Sequence, residues 1–385
     1  MKKKINFYLI FCASMSAYWF IVTILPKSEL NLKMLSTILL GLGGVSFVLK
    51  WIQIKYTMKE YILQAIFFIF LIFVYIKSGA NNEGIILLFP TIAGLKNTNI
   101  KKVTKTMFFT ILILEIITIV LTIIGIIPHT TYVKGDTFGN SYNMLMMANM
   151  HGNANYMPIF TLIALYLYTY HSRVDFKRCI IVQALAIVFY ILFACRTGIV
   201  ISVFMIWGVY LLKKINIKKS NIFIKIFAKI IKHSQLIMFV FVYVVAMYMY
   251  ETTFFNFLDK LVSSRIMEAY VYIDRYGLSV LPRDLVYYIC DNSQTYIMLS
   301  FGLIFTAIYS FIYYKAINNL IKRGKKIEVF LIVIYILYSY SEAAFIKPFP
   351  NFSMLFLIYA FYPNRKVEES KNEQNKEIKL FNLSN

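Results

Sequence analysis

Residues 179–212 read CIIVQALAIVFYILFACRTGIVISVFMIWGVYLL, an apolar run of 34 residues with a single charge, Arg196. As one α-helix this run would be about 51 Å long, whereas the hydrocarbon core of a bilayer is about 30 Å thick. The run therefore predicts two membrane spans with a break at Arg196–Gly198. A charge at the bilayer centre costs on the order of 3 kcal/mol, so the break should place Arg196 at a membrane edge.

The composition of the whole chain agrees with a membrane protein. Of its 385 residues, 59% are hydrophobic, and the mean hydropathy is +0.66. A water-soluble chain of this length needs far more polar surface. We predict an all-α polytopic integral membrane protein, with one transmembrane domain over residues 1–365 and a charged cytoplasmic tail at 366–385.

Apolar runs along the chain predict about 12 transmembrane helices. The first is an uncleaved N-terminal span. The run 84–95 is short and contains Pro90, and we predict that it crosses because otherwise the four lysines of residues 96–105 would lie outside. The predicted spans are residues 5–25, 34–49, 61–76, 84–95, 107–127, 144–170, 180–194, 197–212, 234–250, 295–314, 328–344 and 351–362.

The distribution of basic residues predicts the orientation. With both termini in the cytoplasm, this topology places 30 of the 40 Lys and Arg residues inside and 10 outside, as expected for a membrane protein. The formal net charge of +22 is explained in this way, and no nucleic-acid motif is present, so we expect no nucleic-acid partner.

The segment 213–233 alternates Lys with Ile and Phe, which predicts a basic amphipathic helix on the anionic inner leaflet of the lipid bilayer.

One outer loop is long, from residue 251 to residue 294. It contains Arg265, Arg275 and Arg283, and Arg196 is predicted at a neighbouring outer edge. Arginine binds phosphate through paired, charge-assisted hydrogen bonds and keeps its charge when desolvated. The loop therefore predicts a site for an anionic lipid headgroup such as a pyrophosphate. The alternative is that these arginines pair with the loop's own carboxylates or with ordinary lipid phosphates.

Further polar groups interrupt predicted spans at their outer ends. His151 and Asn155 belong to the stretch MANMHGNANYMPIF (147–160) and either contact substrate or mark a helix start, with Asn155 as its N-cap. Asp291 and Asn292 either cap the following helix or, for Asp291, serve as a general base. Glu342 is a carboxylate near the outer end of its span and should have a partner.

The sequence excludes several kinds of chemistry. It has no HExxH, GxSxG, Walker or glycine-rich nucleotide motif. Its four cysteines have no CxxC spacing, so we expect neither a metal site nor a cofactor, and a disulfide between Cys195 and Cys290 is an open possibility. A transferred group should therefore already carry its own activated leaving group.

Four short motifs together resemble the O-antigen polymerase and O-antigen ligase superfamily. FACRTG (193–198) resembles its Ser-Arg-(Thr/Ser/Gly)-Gly break, and HGNANYM (151–157) resembles its Gly-x-x-Pro-Asn segment. SSRIMEAY (263–270) resembles the start of its large outer loop, and DNSQTYIMLSFG (291–302) resembles the entry to the next span. Their order and spacing over about 140–355 agree with the family, while residues 1–139 contribute hydropathy alone.

The resemblance implies a GT-C-like glycosyltransferase of the bacterial cytoplasmic membrane that joins undecaprenyl-pyrophosphate-linked oligosaccharide repeats at its outer face. It implies that Arg196 and Arg265 bind the pyrophosphate and that Asp291 orients or deprotonates the acceptor. Binding roles are implied for Asn155, Asn292, Arg275, Arg283, His151 and Glu342. A flippase and a chain-length regulator are possible partners.

The sequence also departs from the family pattern. Ala154 replaces the usual proline, Cys195 replaces the usual serine, and Asp291 stands where ligases carry histidine. The last departure favours a polymerase over a ligase, which is the nearest alternative. An alternative from another class is a flippase or transporter for the same lipid-linked oligosaccharide. A transporter predicts functional charges in several spans, whereas here they gather in one outer loop.

Overall fold

The computed structural model describes residues 6–26, 30–79, 83–135, 141–148, 150–215, 222–262, 264–285, 290–342 and 347–363. Within these ranges the chain is mostly helical. The α-helices are α1 (Phe7–Ile24), α2 (Lys33–Gln53), α3 (Met58–Ser78), α4 (Glu83–Ala93), α5 (Ile100–Ile123), α6 (Gly152–Thr169), α7 (Phe176–Phe193), α8 (Arg196–Lys214), α9 (Ile222–Lys232), α10 (Ser234–Tyr248), α11 (Thr253–Leu261), α12 (Arg265–Tyr276), α13 (Ser293–Tyr296), α14 (Gly302–Lys322), α15 (Lys326–Tyr338) and α16 (Ile358–Phe361). Short 3₁₀-helices occupy His171–Arg173 and Phe352–Leu357, and a π-helical turn at Ile297–Phe301 joins α13 to α14.

Seven helices of the described chain are long and apolar enough to cross a bilayer, or eight if α9 and α10, which meet at a 67° bend, form one span. This confirms an all-α polytopic membrane protein. The seven are α1, α2, α3, α5, α7, α8 and the α13–α14 unit. Four other predicted spans correspond to shorter or more polar helices, α4, α6, α15 and the 352–361 segment, so the total of 12 crossings stays a prediction.

A β-hairpin precedes α6, where the sequence predicts the start of a span at residue 144. Strand β1 (His129–Gly135) pairs antiparallel with β2 (Ser141–Met147), in a register from His129 opposite Met147 to Gly135 opposite Ser141. The predicted start is therefore wrong, and α6 begins at Gly152. The Thr, Tyr and Val of β1 favour an extended backbone, and β2 packs against α6 and α7.

The break within the 179–212 run is confirmed. α7 ends at Phe193, its C-cap Ala194 has a φ of 50° in the left-handed region, and α8 begins at Arg196, so the break lies just before the predicted Arg196–Gly198. Gly198, in the first turn of α8, packs directly on α6, because a Cβ there would lie 2.4 Å from the ring of Tyr156. The break thus turns the chain back while keeping α8 against α6.

The helix bundle has two chemically different ends. At the end where α8 finishes and α15 begins, Lys213 donates to the carbonyls of Ser172 and Val174, and Lys326 donates to the carbonyl of Ile215. We call this the basic end. The opposite end, where α8 begins and α15 finishes, is the site end. In the predicted amphipathic segment 213–233, Lys213 and Lys214 end α8 and Ile222–Lys232 form α9, whereas residues 216–221 and the predicted tail 366–385 lie outside the described residues.

A segment of the long loop is docked on the break between α13 and α14. Gly302, at the break, has a φ of +79°. The main-chain N–H groups of the next two residues, Leu303 and Ile304, donate to the carbonyls of Ser279 and Val280, at 2.9 and 3.2 Å. The N–H of Arg283 donates to the carbonyl of Ser300 at 3.0 Å. The loop therefore supplies partners that the interrupted helix lacks.

Gly302→Ala should destabilise the protein by at least about 2 kcal/mol. The new Cβ would lie on a left-handed backbone and would also overlap neighbouring atoms. That Cβ would lie 2.7 Å from the carbonyl carbon of Leu281 and 2.8 Å from the oxygen of Val280. The measurement is the unfolding midpoint of the purified protein in detergent.

Gly324→Ala is the matched control. Its φ is +69°, but a Cβ there meets nothing within 4 Å, so its cost should be only about 1 kcal/mol. Equal losses in the two variants would show that the docking of the loop contributes nothing to the cost at Gly302.

Candidate functional site

An arginine between two carboxylates lies at the site end. The guanidinium of Arg265 forms a close ion pair with Asp291, and its Nη1 lies 3.4 Å from Oε2 of Glu268. The side chains of Arg265 and Glu268 are 19% and 21% exposed, and that of Asp291 is 38% exposed. Asp291 is therefore the member of the cluster that a molecule outside can reach most easily.

Capped helix starts hold both partners of this ion pair. Oδ1 of Asp259 accepts hydrogen bonds from the N–H groups of Ile266 and Met267, each at 2.9 Å, at the start of α12. Oδ1 of Asn292 accepts a hydrogen bond from the N–H of Thr295 at 2.9 Å. Asn292, the residue after Asp291, is thereby the N-cap of α13. The predicted cap at Asn292 is confirmed, whereas the carboxylate of Asp291 pairs with Arg265.

Glu268 lies on the same face of α12 as Arg265, as its spacing predicts. Burial raises the pKa of Glu268 above its usual value, and the nearby charge of Asp291 raises it further. The charge of Arg265 and a hydrogen bond from the main-chain N–H of Asp291 act in the opposite direction, but burial is the largest effect. Burial of Glu268 thus favours its protonated form.

A second group of predicted residues lies at the starts of α6 and α8. Arg196 is the first residue of α8 and is half-buried. Asn155 is fully buried, and its Nδ2 donates to the carbonyl of Met150 at 3.1 Å. The cap of α6 is the exposed His151, whose Nδ1 accepts from the N–H of Asn153 at 3.4 Å. The alternative that Asn155 is the N-cap is therefore wrong.

The end of α15 connects the two groups. The buried ring of Tyr338 lies close enough to Cys195 and Glu342 for electrostatic interaction with both. The carbonyl of the buried Glu342 accepts a hydrogen bond of 2.5 Å from the hydroxyl of Ser293, two residues after Asp291. Contacts therefore run from the start of α8, through α15, to the ion pair of Arg265 and Asp291.

The remaining loop arginines have different surroundings. Arg283 donates through Nε to the carbonyl of Leu299 at 3.2 Å, through Nη1 to that of Tyr276 at 2.8 Å, and through Nη2 to that of Gly277. These contacts tie the loop to the helix break. Arg275 is exposed and lies over the ring of Tyr276, 5.3 Å from its centroid. Substrate contact by either arginine stays a prediction.

The disulfide that the sequence left open is not formed, because Cys195 and Cys290 are both buried thiols. Reasoning from the sequence missed one feature of this region. Gln294 donates to the carbonyl of Ile336 and to the hydroxyl of Ser339, at 3.2 and 2.5 Å, which joins α13 to α15. The dense Tyr and Ser residues of YILYSYSE (335–342) were the available signal for a polar site.

Comparison of the chain with protein-family models, with curated proteins and with solved structures finds no match. The functional interpretation therefore depends on the side chains at the site end and on the four motifs that carry the resemblance.

Arg283→Ala should lower the stability of the protein by roughly 2 kcal/mol, because three carbonyls lose a charged donor. Arg275→Ala is the matched control from the same loop and should change stability by less than about 0.5 kcal/mol. The unfolding midpoints of the two variants in detergent test this difference. Similar midpoints would show that Arg283 does not hold the loop on the helix break.

Glu268→Gln should stabilise the protein more at pH 7.5 than at pH 4.5. Because the folded state raises the pKa of Glu268, it binds more protons than the unfolded chain between the unfolded and folded pKa values, and stability falls as pH rises through that interval. Glutamine removes this dependence and keeps an oxygen acceptor for the N–H of Asp291. The difference in unfolding midpoint between the variant and the wild type should grow with pH; a difference that shrinks contradicts the shift.

Proposed function

We propose that this protein is a membrane glycosyltransferase that polymerises undecaprenyl-pyrophosphate-linked oligosaccharide repeats into a surface polysaccharide. The observation that carries the proposal is the ion pair of Arg265 and Asp291 at the site end. It joins a phosphate-binding group to a carboxylate that can accept a proton, in a loop docked on a broken helix. The resemblance of four ordered motifs to the O-antigen polymerase family supports the same chemistry.

The proposal also includes the orientation of the protein in the membrane and its fold family. Lysines gather at the basic end, as at the cytoplasmic side of other membrane proteins, so the site end faces outward and both termini face the cytoplasm. We include in the proposal 12 crossings, a GT-C-like arrangement and the bacterial cytoplasmic membrane. The amphipathic helix α9 then lies on the inner leaflet.

The proposed reaction begins with an exchange of partners at Arg265. The pyrophosphate of the donor binds the guanidinium and displaces the carboxylate of Asp291, which is then free to accept a proton. Protonation of Glu268, favoured by its burial, lowers the negative charge beside the incoming phosphates. Binding of the donor therefore activates the base at the moment when it is needed.

Glycosyl transfer follows from these positions. The hydroxyl oxygen of the acceptor sugar attacks the anomeric carbon of the donor chain, and the bond between that carbon and the pyrophosphate oxygen breaks. Asp291 takes the hydroxyl proton, and the lipid pyrophosphate leaves with the bonding electron pair. Arg265 and Arg196 stabilise the charge that develops on the leaving group. Asn155, Asn292, Arg275, Arg283, His151 and Glu342 remain the proposed binding residues.

The deciding experiment compares lipid-linked and released glycans in a strain that lacks the protein. We expect single repeats on the outer face and no long polymer. Repeats trapped inside the cell would indicate a flippase, long chains left on the lipid would indicate a ligase, and unchanged glycans would contradict all three.

Complementation of that strain tests the residues. Arg265→Ala and Asp291→Asn should each reduce polymer at least about a hundredfold, because both groups act directly on the reacting atoms. The matched control is Lys96→Ala, which breaks an ion pair of 2.6 Å with Glu60 at the basic end and should leave polymer unchanged. Near-normal polymer in an Arg265 or Asp291 variant that is present in the membrane would remove that residue from the site.

A further inference from the structure

Six buried polar side chains at the site end each have one atom without a hydrogen-bond partner among the described residues. All are at least nine-tenths buried, and the atoms concerned have no partner among the described residues. Leaving such an atom unpaired is costly, so proteins retain the arrangement where something else can pair with it. The atoms are Oδ1 of Asn155, Nδ2 of Asn292, Oε1 of Gln294, Oγ1 of Thr295 and the hydroxyls of Tyr338 and Tyr340.

Direct contacts bring Asn292, Gln294, Thr295 and Tyr338 into one region. Thr295 belongs to the turn capped by Asn292, and Gln294 of the same turn is bonded to Ser339. Tyr338 adjoins Ser339 in the chain, and its ring stacks on Phe160 of α6, with ring centroids 4.0 Å apart. The set thus spans α6, α13 and the end of α15, directly beside Asp291.

The chemistry of these atoms selects the kind of ligand. None carries a charge, and together they include an amide donor, two amide acceptors and hydroxyls that can both donate and accept. An anion would be attracted to the neighbouring arginines instead. A neutral, polyhydroxylated group, whose hydroxyls also donate and accept, matches this mixture.

We infer that these side chains form a subsite for the sugar next to the pyrophosphate, with Tyr338 and Thr295 as hydrogen-bonding residues that fix its hydroxyls. The inference rests on the proposed function and deepens it, because it names the part of the donor that each region binds. The pyrophosphate lies on the arginines, and the first sugar enters between α6, α13 and α15. Asp291 lies at the boundary between the two.

The test removes one hydroxyl at a time and keeps the rest of the side chain. Tyr338→Phe keeps the ring against Phe160, and Thr295→Val keeps the shape of the side chain. In each variant the deleted hydroxyl has no partner among the described residues, so the unfolding midpoint should stay equal or rise. Each variant should raise KM or lower kcat/KM about tenfold. Losing one hydrogen bond between uncharged groups changes affinity about two- to tenfold, and here a sugar hydroxyl is also left unpaired.

Matched controls delete buried hydroxyls that do have protein partners. The hydroxyl of Tyr8 donates to the carbonyl of Thr91 at 2.6 Å, and that of Thr161 donates to the carbonyls of Met157 and Pro350 at 2.9 and 3.1 Å. Tyr8→Phe and Thr161→Val should lower the unfolding midpoint and leave KM unchanged. A hydroxyl that binds substrate and one that holds the fold therefore give opposite results.

The assay uses the full-length protein in lipid nanodiscs, with lipid-linked repeats extracted from the strain that lacks it as substrate. Unchanged kinetics in Tyr338→Phe and Thr295→Val would overturn the subsite while elongation by the wild type upholds the polymerase. A fall in midpoint as large as that of the matched control would also overturn it, whatever the KM. If the wild-type protein does not elongate the lipid-linked repeats, both the proposed function and the proposed subsite are wrong.

Discussion

The interruption between α13 and α14 determines where the polar groups of this protein can meet. A helix that breaks at membrane depth exposes main-chain N–H and C=O groups, each of which costs several kcal/mol unless it finds a partner. Here the carbonyls of Ser279 and Val280 and the N–H of Arg283 supply those partners. The long loop is consequently held on the bundle. Only glycine fits at residue 302, where the backbone is left-handed and the loop approaches too closely for a Cβ.

Once the loop is docked, charge balance explains the ion-pair cluster. Arg265 keeps its charge in every environment and is mostly enclosed, so it requires counter-charge, and Asp291 and Glu268 provide it. Two carboxylates on one guanidinium leave one negative charge in excess, and burial relieves that excess by raising the pKa of Glu268. An arginine with exchangeable partners can accept an incoming phosphate, whereas Arg283, each of whose three nitrogens contacts a main-chain carbonyl, also holds the loop in place.

The two ends of the bundle carry different polar groups. At the basic end, Lys213 and Lys326 bind main-chain carbonyls and Lys96 pairs with Glu60. At the site end, several uncharged side chains keep unpaired atoms beside an ion pair. A protein that only needed to cross the bilayer would gain stability by replacing those side chains with apolar ones.

Local properties of the sequence were enough to predict the membrane class, the division of residues 179–212 into two helices and the cap at Asn292. These depend on hydropathy, segment length and side-chain spacing, which act over a few residues. The pairing of Arg265 with Asp291 and the contact of Arg283 with Leu299 depend on which separate segments pack together. No local periodicity encodes that choice, because it follows from satisfying main-chain and charged groups across the whole bundle at once.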